Sequence, residues 1–271
     1  MFPSRIPASP VVKSTVKSAL KGKRLEATIA AMIPVFAYYL VLVLSEGFSY
    51  LLTGWLSIAS VGLTVLLIIV LVYPILLGAI RYYWRITDGV STDPVDVFYY
   101  LGDMFRYKRA LKSALLMAFK CFAALFTCLL PYILITLLSN AWLYQFLGTE
   151  IPLWVAKLEL VKSFLRVVGI FAGITVMSRY YLFPALVVMD DGMHLLEAMH
   201  ISVMISRRSV ASFLSLVISV SAWMVLSLFV APLLYTAPLF LGCYAVHCRY
   251  ALVNYNLSLE FYAKDKYSLG F

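Results

Sequence analysis

The chain has 271 residues, of which 63% are hydrophobic and only 13% are charged, and its formal net charge at pH 7 is +9. A soluble domain is closer to half apolar and a quarter charged, so this composition excludes one large soluble core. The positive charge does not indicate nucleic-acid binding, because the cations are scattered along the borders of apolar segments instead of being gathered on one soluble face.

Apolar segments long enough to cross a bilayer recur along the chain, since a spanning helix needs about 20 residues. The sequence predicts six spans, at 26–45, 57–80, 113–138, 164–188, 209–230 and 232–253. The predicted fold is therefore an all-α, polytopic membrane helical bundle of about six transmembrane helices. The four cysteines fall inside these spans and are read as buried, inert thiols.

The basic residues predict an orientation. Segments 1–24, 81–112 and 179–208, together with Arg249 and the C-terminal tail, hold eighteen of the Lys and Arg residues, whereas the loops on the opposite side hold only three. Basic loops stay in the cytoplasm, so both termini are expected there, in a multi-pass protein.

A short amphipathic segment precedes each of three outward spans. The first reads VVKSTVKSALKGKR (11–24), in which Val12, Val16 and Leu20 follow helical spacing beside a lysine stripe. Such a helix is expected to rest on an anionic inner leaflet, with its lysines toward the headgroups.

The second segment reads DPVDVFYYLGDMFRYKR (93–109) and the third reads DGMHLLEAMHISVMISRR (191–208). Asp93 is predicted to cap a helix that has Pro94 at its first position. The predicted apolar stripes are Val97, Leu101 and Met104 or Phe105 in the second segment, and Leu196, Met199 and Val203 in the third.

Basic landmarks repeat at nearly one offset. Arg81-Tyr82-Tyr83 and Arg179-Tyr180-Tyr181 lie 98 positions apart, Lys108-Arg109 and Arg207-Arg208 lie 99 apart, and Arg249-Tyr250 ends the last unit. We expect a single membrane domain, 1–271, of three helical hairpins, with repeats at about 11–90, 91–190 and 191–256 and a polar tail at 257–271. At each corner the arginine is expected to snorkel to phosphates while the tyrosines lie at the membrane boundary.

The sequence allows two positions of Arg179 relative to the bilayer. If its span begins near Val167, Arg179 lies near the bilayer centre, where a cation needs a partner or a polar cavity and could bind an anion. If the span begins near Leu160, Arg179 lies at the inner interface, as Arg81 does.

Asp190-Asp191 could suggest a divalent cation, but Asp191-Gly192 reads as a turn before a helix. His194 and His200 are six residues apart and do not share a helix face, so no zinc site is predicted. The sequence contains no phosphate-binding loop, nucleophile elbow or dinucleotide fingerprint, and no cofactor is predicted.

Several stretches resemble the bacterial integral membrane proteins of domain-of-unknown-function family 975. They are VKSALKGKR (16–24), YPILLGAIRYYWRITDG (73–89), DPVDVFYYLGDMFRYKRAL (93–111) and SRYYLFPALVVMDDGMHLLEAMHISVMISRRSVASF (178–213), with Trp223 in the following span. Where the family usually has a Gly-His-Lys-like element, this chain reads SRRS (206–209). The resemblance implies a bacterial plasma membrane location, and it implies no reaction and no catalytic residue.

The leading functional hypothesis is a non-enzymatic membrane scaffold that binds lipids, especially anionic inner-leaflet headgroups, or a membrane protein partner. The candidate headgroup- or anion-binding residues are Arg81, Lys108, Arg109, Arg179, Arg207, Arg208 and Arg249. A transporter or channel for a small solute is the alternative, because prolines lie within the predicted spans. A membrane hydrolase that uses Asp190 and Asp191 is the third hypothesis.

Overall fold

The computed structural model describes the backbone of residues 9–51, 55–139, 159–226 and 230–268. Within these ranges the side chains of 49–51, 55–59, 159–160, 208, 221–226, 230–232 and 257–268 lie outside the description. The described secondary structure is helical throughout, with no strand in these ranges. The chain is therefore all-α, as predicted.

In chain order, the described α-helices are α1 Ser9–Ala19, α2 Arg24–Leu51, α3 Trp55–Leu67, α4 Tyr73–Thr87, α5 Met104–Leu138, α6 Glu159–Met177, α7 Phe183–Met189, α8 Leu195–Leu226 and α9 Val230–Ser268. A π-helix, Ile68–Val72, joins α3 to α4. Two 3-10 helices, Pro94–Phe98 and Ser178–Tyr180, precede α5 and α7.

Four helical stretches in the described part of the chain are long and apolar enough to cross a membrane. They are Arg24–Phe48, Ser60–Thr87, Met104–Leu138 and Val161–Met189. They coincide with the first four predicted spans. A fifth stretch consists of Leu195–Arg207 and Ser209–Val220, which meet at a bend of 81°. The predicted spans at 209–230 and 232–253 remain predictions.

Helix α1 has the predicted apolar stripe, but the stripe packs against protein. Val12, Val16 and Leu20 are all buried in the hydrophobic core that α4 and α9 share with α1. A methyl group on Gly242 of α9 would lie only 2.6 Å from Val16 Cγ1, which shows how closely the two helices approach. The apolar stripe therefore faces the protein core, and the placement of this helix at the inner leaflet with its lysines toward the headgroups stays a prediction.

The segment 93–109 starts as predicted and then departs from the prediction. The Asp93 carboxylate accepts a hydrogen bond from the Val95 amide at 3.0 Å, so the cap is confirmed. The 3-10 helix ends at Phe98, however, and α5 begins only at Met104, because the backbone turns through residues 99–103. The predicted stripe is therefore wrong beyond Val97: Leu101, Met104 and Phe105 are exposed, and Tyr100 is buried instead.

The third segment bends where the basic pair lies. The 81° bend falls between Arg207 and Ser209, so residues 195–207 form a helix that is distinct in direction from the one that follows. Its buried face is Ala198, Met199, Ser202 and Ile205. Leu196 is 56% exposed, so the predicted stripe was displaced by part of a turn.

The chain divides into two units, Met1–Leu115 with Leu182–Phe271, and Leu116–Tyr181. In the second unit, methyl groups on Gly169 and Gly173 would lie 2.9 Å from the Cys128 carbonyl oxygen and 2.6 Å from Leu125 Cδ2. The two glycines of the G-x-x-x-G pattern therefore let α6 approach α5 closely, as membrane helices commonly do.

In the first unit, Tyr82 and Tyr83 are core residues. Both are fully buried, and the Tyr83 hydroxyl donates to the Ala27 carbonyl of α2 at 2.6 Å. A buried tyrosine needs such an acceptor for its hydroxyl. These two rings therefore face the protein core, and their position at the membrane boundary stays a prediction.

Candidate functional site

Arg81 is held by an aromatic ring and a carboxylate from distant parts of the chain. Its guanidinium carbon lies 3.6 Å from the centroid of the Tyr99 ring, and its Nη1 lies 3.5 Å from Asp191 Oδ2. The Tyr99 hydroxyl donates to the same Asp191 oxygen at 3.0 Å. Three chain segments therefore meet at one point: α4, the turn before α5, and the turn after α7.

Two further arginines of α5 join this point. Arg106 lies 4.1 Å from the Tyr99 centroid and pairs with Asp103 at 3.7 Å. Arg109 Nη2 donates to the Asp190 and Met193 carbonyl oxygens at 2.7 and 2.9 Å. We name this cluster the arginine corner; it consists of Arg81, Tyr99, Tyr100, Arg106, Arg109 and Asp191.

The charges of the arginine corner are largely matched within the protein. Arg81 faces Asp191 and Arg106 faces Asp103, while Arg109 donates to two carbonyl oxygens of a turn and has no acidic partner among the described residues. Burial raises the pKa of Tyr99, and the hydrogen bond to Asp191 raises it further. The arginine corner therefore holds α4, the turn before α5 and the turn after α7 together. Because Arg81 and Arg109 already bind protein groups, they are less available to external anions than predicted.

Some polar atoms of the corner remain without a hydrogen bond in the described part of the chain. They are Arg81 Nε, Arg109 Nε and the hydroxyl of the fully buried Tyr100. Burial raises the pKa of Tyr100 well above its usual range, so the hydroxyl is neutral at any physiological pH. Buried polar atoms usually have hydrogen-bond partners, so the region around Tyr100 differs in this respect from the rest of the arginine corner.

Arg249 clamps the C-terminal end of α4. Its Nη1 lies 2.6 Å from Asp88 Oδ1, and its two terminal nitrogens donate to the Thr87 and Trp84 carbonyl oxygens at 3.2 and 2.9 Å. The guanidinium also lies 5.0 Å from the Trp84 ring. Carbonyls in the last turn of a helix lack amide partners from a following turn, although Trp84 O also accepts from the Thr87 hydroxyl at 2.9 Å, so a cation here helps to satisfy them and matches the helix dipole. Arg249 therefore has a structural role, which its position at the end of the last predicted repeat did not indicate.

The other predicted residues are not members of the arginine corner. Lys108 and Arg207 are exposed, and neither makes an ion pair with a described residue. Arg179 is exposed in the 3-10 helix Ser178–Tyr180 of the second unit. The side chain of Arg208 lies outside the described residues.

Two cations that the candidate set omitted are also exposed. Lys17 lies in the last turn of α1 and Arg24 begins α2, and neither charged group forms an ion pair or hydrogen bond with any residue that the structure describes. In the sequence, these two residues are indicated as candidates by their position in the basic N-terminal segment. That signal does not say which lysines stay exposed, since Lys13 instead donates to the Ser219 carbonyl oxygen at 3.1 Å.

The adjacent carboxylates form a turn, as predicted. Asp190 Oδ1 accepts the Gly192 amide at 2.7 Å, and Asp191 accepts from Tyr99 and Arg81. Among the described residues there is no group of three metal-ligating side chains. The carboxylates are thus already engaged within the protein, and the geometry adds no support for a hydrolase.

Comparison of the chain with models of known protein families gives no match, and neither does comparison with curated proteins or with solved structures.

Proposed function

We propose that this chain is a non-enzymatic, multi-pass membrane protein that binds anionic lipid headgroups at the inner leaflet. The observation that carries the proposal is the position of its exposed cations. Arg24 begins the apolar stretch Arg24–Phe48, Lys108 lies near the start of Met104–Leu138, and Arg207 lies two residues before Ser209–Val220. Each lacks an ion-pair partner within the described chain, so each is available to a phosphate.

The position of Arg24 is unfavourable for the helix itself. A cation at a helix N-terminus faces the positive end of the dipole, and this costs about 0.3–1 kcal/mol. A lipid phosphate beside Arg24 would offset this cost, because both the side chain and the helix terminus attract an anion. Basic residues near an anionic leaflet contribute about 1 kcal/mol each.

The element order supports the further proposal of three hairpins with both termini in the cytoplasm. A short helix and a break precede a long helix three times: α1 before α2, the 3-10 helix Pro94–Phe98 before α5, and residues 195–207 before the 81° bend. A positive φ of 87° at Gly22 makes the first break. Membership of domain-of-unknown-function family 975 and a bacterial plasma membrane location belong to the same proposal.

Lipid composition around the purified protein tests the function. The protein would be extracted with its surrounding lipid from membranes of equal phosphatidylglycerol and phosphatidylcholine content, and the retained lipids quantified by mass spectrometry. We expect phosphatidylglycerol to be enriched, and the enrichment to fall in a Lys108→Gln, Arg207→Gln double variant. Arg166→Gln, an exposed cation at the opposite predicted border, is the control and should leave the enrichment unchanged.

If the wild-type protein retains both lipids in their bulk proportion, the lipid-binding function is wrong. Enrichment of a co-purifying acidic protein that depends on the same two cations would favour partner binding instead.

A transporter is the second candidate, and one observation favours it. The π-helix Ile68–Val72 interrupts the apolar stretch Ser60–Thr87, and the Tyr107 hydroxyl donates to the Val70 carbonyl oxygen at 3.1 Å. Single π-turns within α-helices are frequent at functional sites. Solute uptake by reconstituted vesicles that falls in a Tyr107→Phe variant would support transport, and vesicles that remain sealed to small solutes would count against it.

A further inference from the structure

A groove opens between the end of α1, the start of α2 and the first half of α9. Its lining residues are Lys17, Leu20, Arg24, Thr28, Leu234, Tyr235, Pro238 and Leu239. All of them belong to the first unit, and none belongs to the arginine corner. Lys17 and Arg24 supply two positive charges, and no acidic side chain lines the groove.

The two cations are the only charged hydrogen-bond donors among these lining residues. Thr28 uses its hydroxyl proton on the Arg24 carbonyl oxygen at 2.8 Å. Lys17 and Arg24 are exposed, and their charged groups have no partner in the part of the chain described by the structure. A guanidinium and an ammonium that face the same opening are well suited to a phosphodiester.

The remaining lining is apolar and continues onto the outer surface of α2. Leu20 and Leu239 are 7% exposed and form the floor, whereas Leu234 and Tyr235 stand at the rim. Beside the groove, Leu25 and Ile29 of α2 are exposed on the helix that begins the apolar stretch Arg24–Phe48. Cations at one end and apolar side chains along the adjoining helix match the two parts of a phospholipid.

The size of the groove limits what can enter it. Its volume is about 60 Å³, several times the roughly 10–15 Å³ that a cavity needs to hold one water molecule. A phosphate-sized group fits, but a glycerol backbone with its acyl chains does not. The acyl chains of a bound lipid must therefore lie outside, along Leu25 and Ile29.

We infer that the groove is a specific site for one anionic glycerophospholipid, with its phosphate between Lys17 and Arg24 and an acyl chain on the exposed face of α2. This inference rests on the proposed function and names one site for it. The charge of the lining selects an anionic lipid over a zwitterionic one. The adjoining apolar surface distinguishes a lipid from free phosphate.

Native mass spectrometry of the full chain, released from bilayers of phosphatidylglycerol and phosphatidylcholine, tests the site. We expect one phosphatidylglycerol to stay bound to the wild type. Retention should fall at least about five-fold for each charge removed, in Lys17→Gln and in Arg24→Gln. Lys21→Gln, which removes a neighbouring exposed cation outside the groove, should retain the lipid. Excess inorganic phosphate should not displace it.

A second measurement does not depend on the folding of the charge variants. A benzophenone amino acid placed at the exposed position Tyr235 should cross-link phosphatidylglycerol in preference to phosphatidylcholine.

The outcomes separate this site from the general function. If both groove variants keep the lipid as well as the wild type does, or if the label at Tyr235 cross-links both lipids equally, the groove is not the site, although general enrichment of anionic lipid would stand. Displacement by inorganic phosphate would overturn the lipid assignment of the groove. Absence of any anionic preference in the wild type would overturn both the site and the proposed function.

Discussion

The guanidinium of Arg249 lies 2.6 Å from the carboxylate of Asp88, so that α9 holds the last turn of α4 in place. The same guanidinium satisfies two α4 carbonyl oxygens. Both partners of the ion pair are partly exposed, so its value is moderated by solvent. The backbone hydrogen bonds therefore contribute most of the stabilisation.

Replacement of Arg249 tests this clamp. We expect Arg249→Gln to lower the free energy of unfolding by about 2 kcal/mol, because the two carbonyls and Asp88 lose a charged donor. Arg249→Lys keeps the charge but not the planar fork, and should lose about half as much. Chemical unfolding in one detergent would measure both, and equal stability of wild type and Arg249→Gln would contradict the assignment.

Replacement of Gly78 by any larger residue should destabilise the protein for a steric reason. A methyl group there would overlap the carbonyl oxygen of Val97, at the point where the 3-10 helix Pro94–Phe98 crosses α4. Backbone cannot move aside as a side chain can, so we expect Gly78→Ala to cost at least about 2 kcal/mol. Gly62→Ala is the matched control, because nothing lies within 4 Å of a methyl group at Gly62 and alanine favours a helix. A Gly78→Ala protein as stable as the Gly62→Ala protein would show that the crossing is not tight.

Tyr99 serves the arginine corner through both its hydroxyl and its ring. Tyr99→Phe removes only the hydrogen bond to Asp191 and should cost about 1 kcal/mol. Tyr99→Leu also removes the ring that Arg81 and Arg106 contact, and should cost about 1 kcal/mol more. Unfolding free energies of the two variants give the comparison, and the ring has no role if Tyr99→Leu is no less stable than Tyr99→Phe.

The buried Tyr100 should make the stability of the folded protein depend on pH under alkaline conditions. Its pKa is raised by burial, so above about pH 10 the unfolded chain loses this proton while the folded chain keeps it. This difference in pKa leaves the free energy of unfolding unchanged below about pH 10. Between about pH 10 and the folded-state pKa, the free energy of unfolding falls as the pH rises. The Tyr100→Phe protein should therefore differ from the wild type by less than about 1 kcal/mol at pH 7, since the Arg81 side chain lies near the hydroxyl but makes no hydrogen bond of regular geometry with it, and should be the more stable of the two near pH 11. Thermal unfolding at the two pH values decides this, and a stability difference that does not change with pH would refute it.

Local features of the fold follow from local sequence. Asp93 and Pro94 start a helix because one side chain and one ring act within a few residues, and Val12 and Val16 share a face because helical spacing places them there. The end of α7 before the Asp190 turn follows in the same way. In each of these cases the relevant partner lies within one or two turns of the chain.

Contacts over long distances could not be predicted in this way. Lys13 and Ser219 are 206 residues apart, and which lysine of α1 turns inward depends on where α8 packs. The tyrosines beside Arg81 resemble boundary residues, yet α2 provides an acceptor for Tyr83 and covers the ring. The arginines of the corner and of the clamp could be identified as basic landmarks, but their partners come from tertiary packing alone.

The central claim is that the exposed cations at the helix starts face the cytoplasm, where anionic headgroups of the inner leaflet can reach them. Labelling of single cysteines in intact cells, in a variant without the four native cysteines, tests it most directly. A membrane-impermeant thiol reagent should modify Gly47→Cys in intact cells, and should modify Lys23→Cys only after the membrane is permeabilised. Modification of Lys23→Cys in intact cells would place the basic helix ends outside and contradict the account.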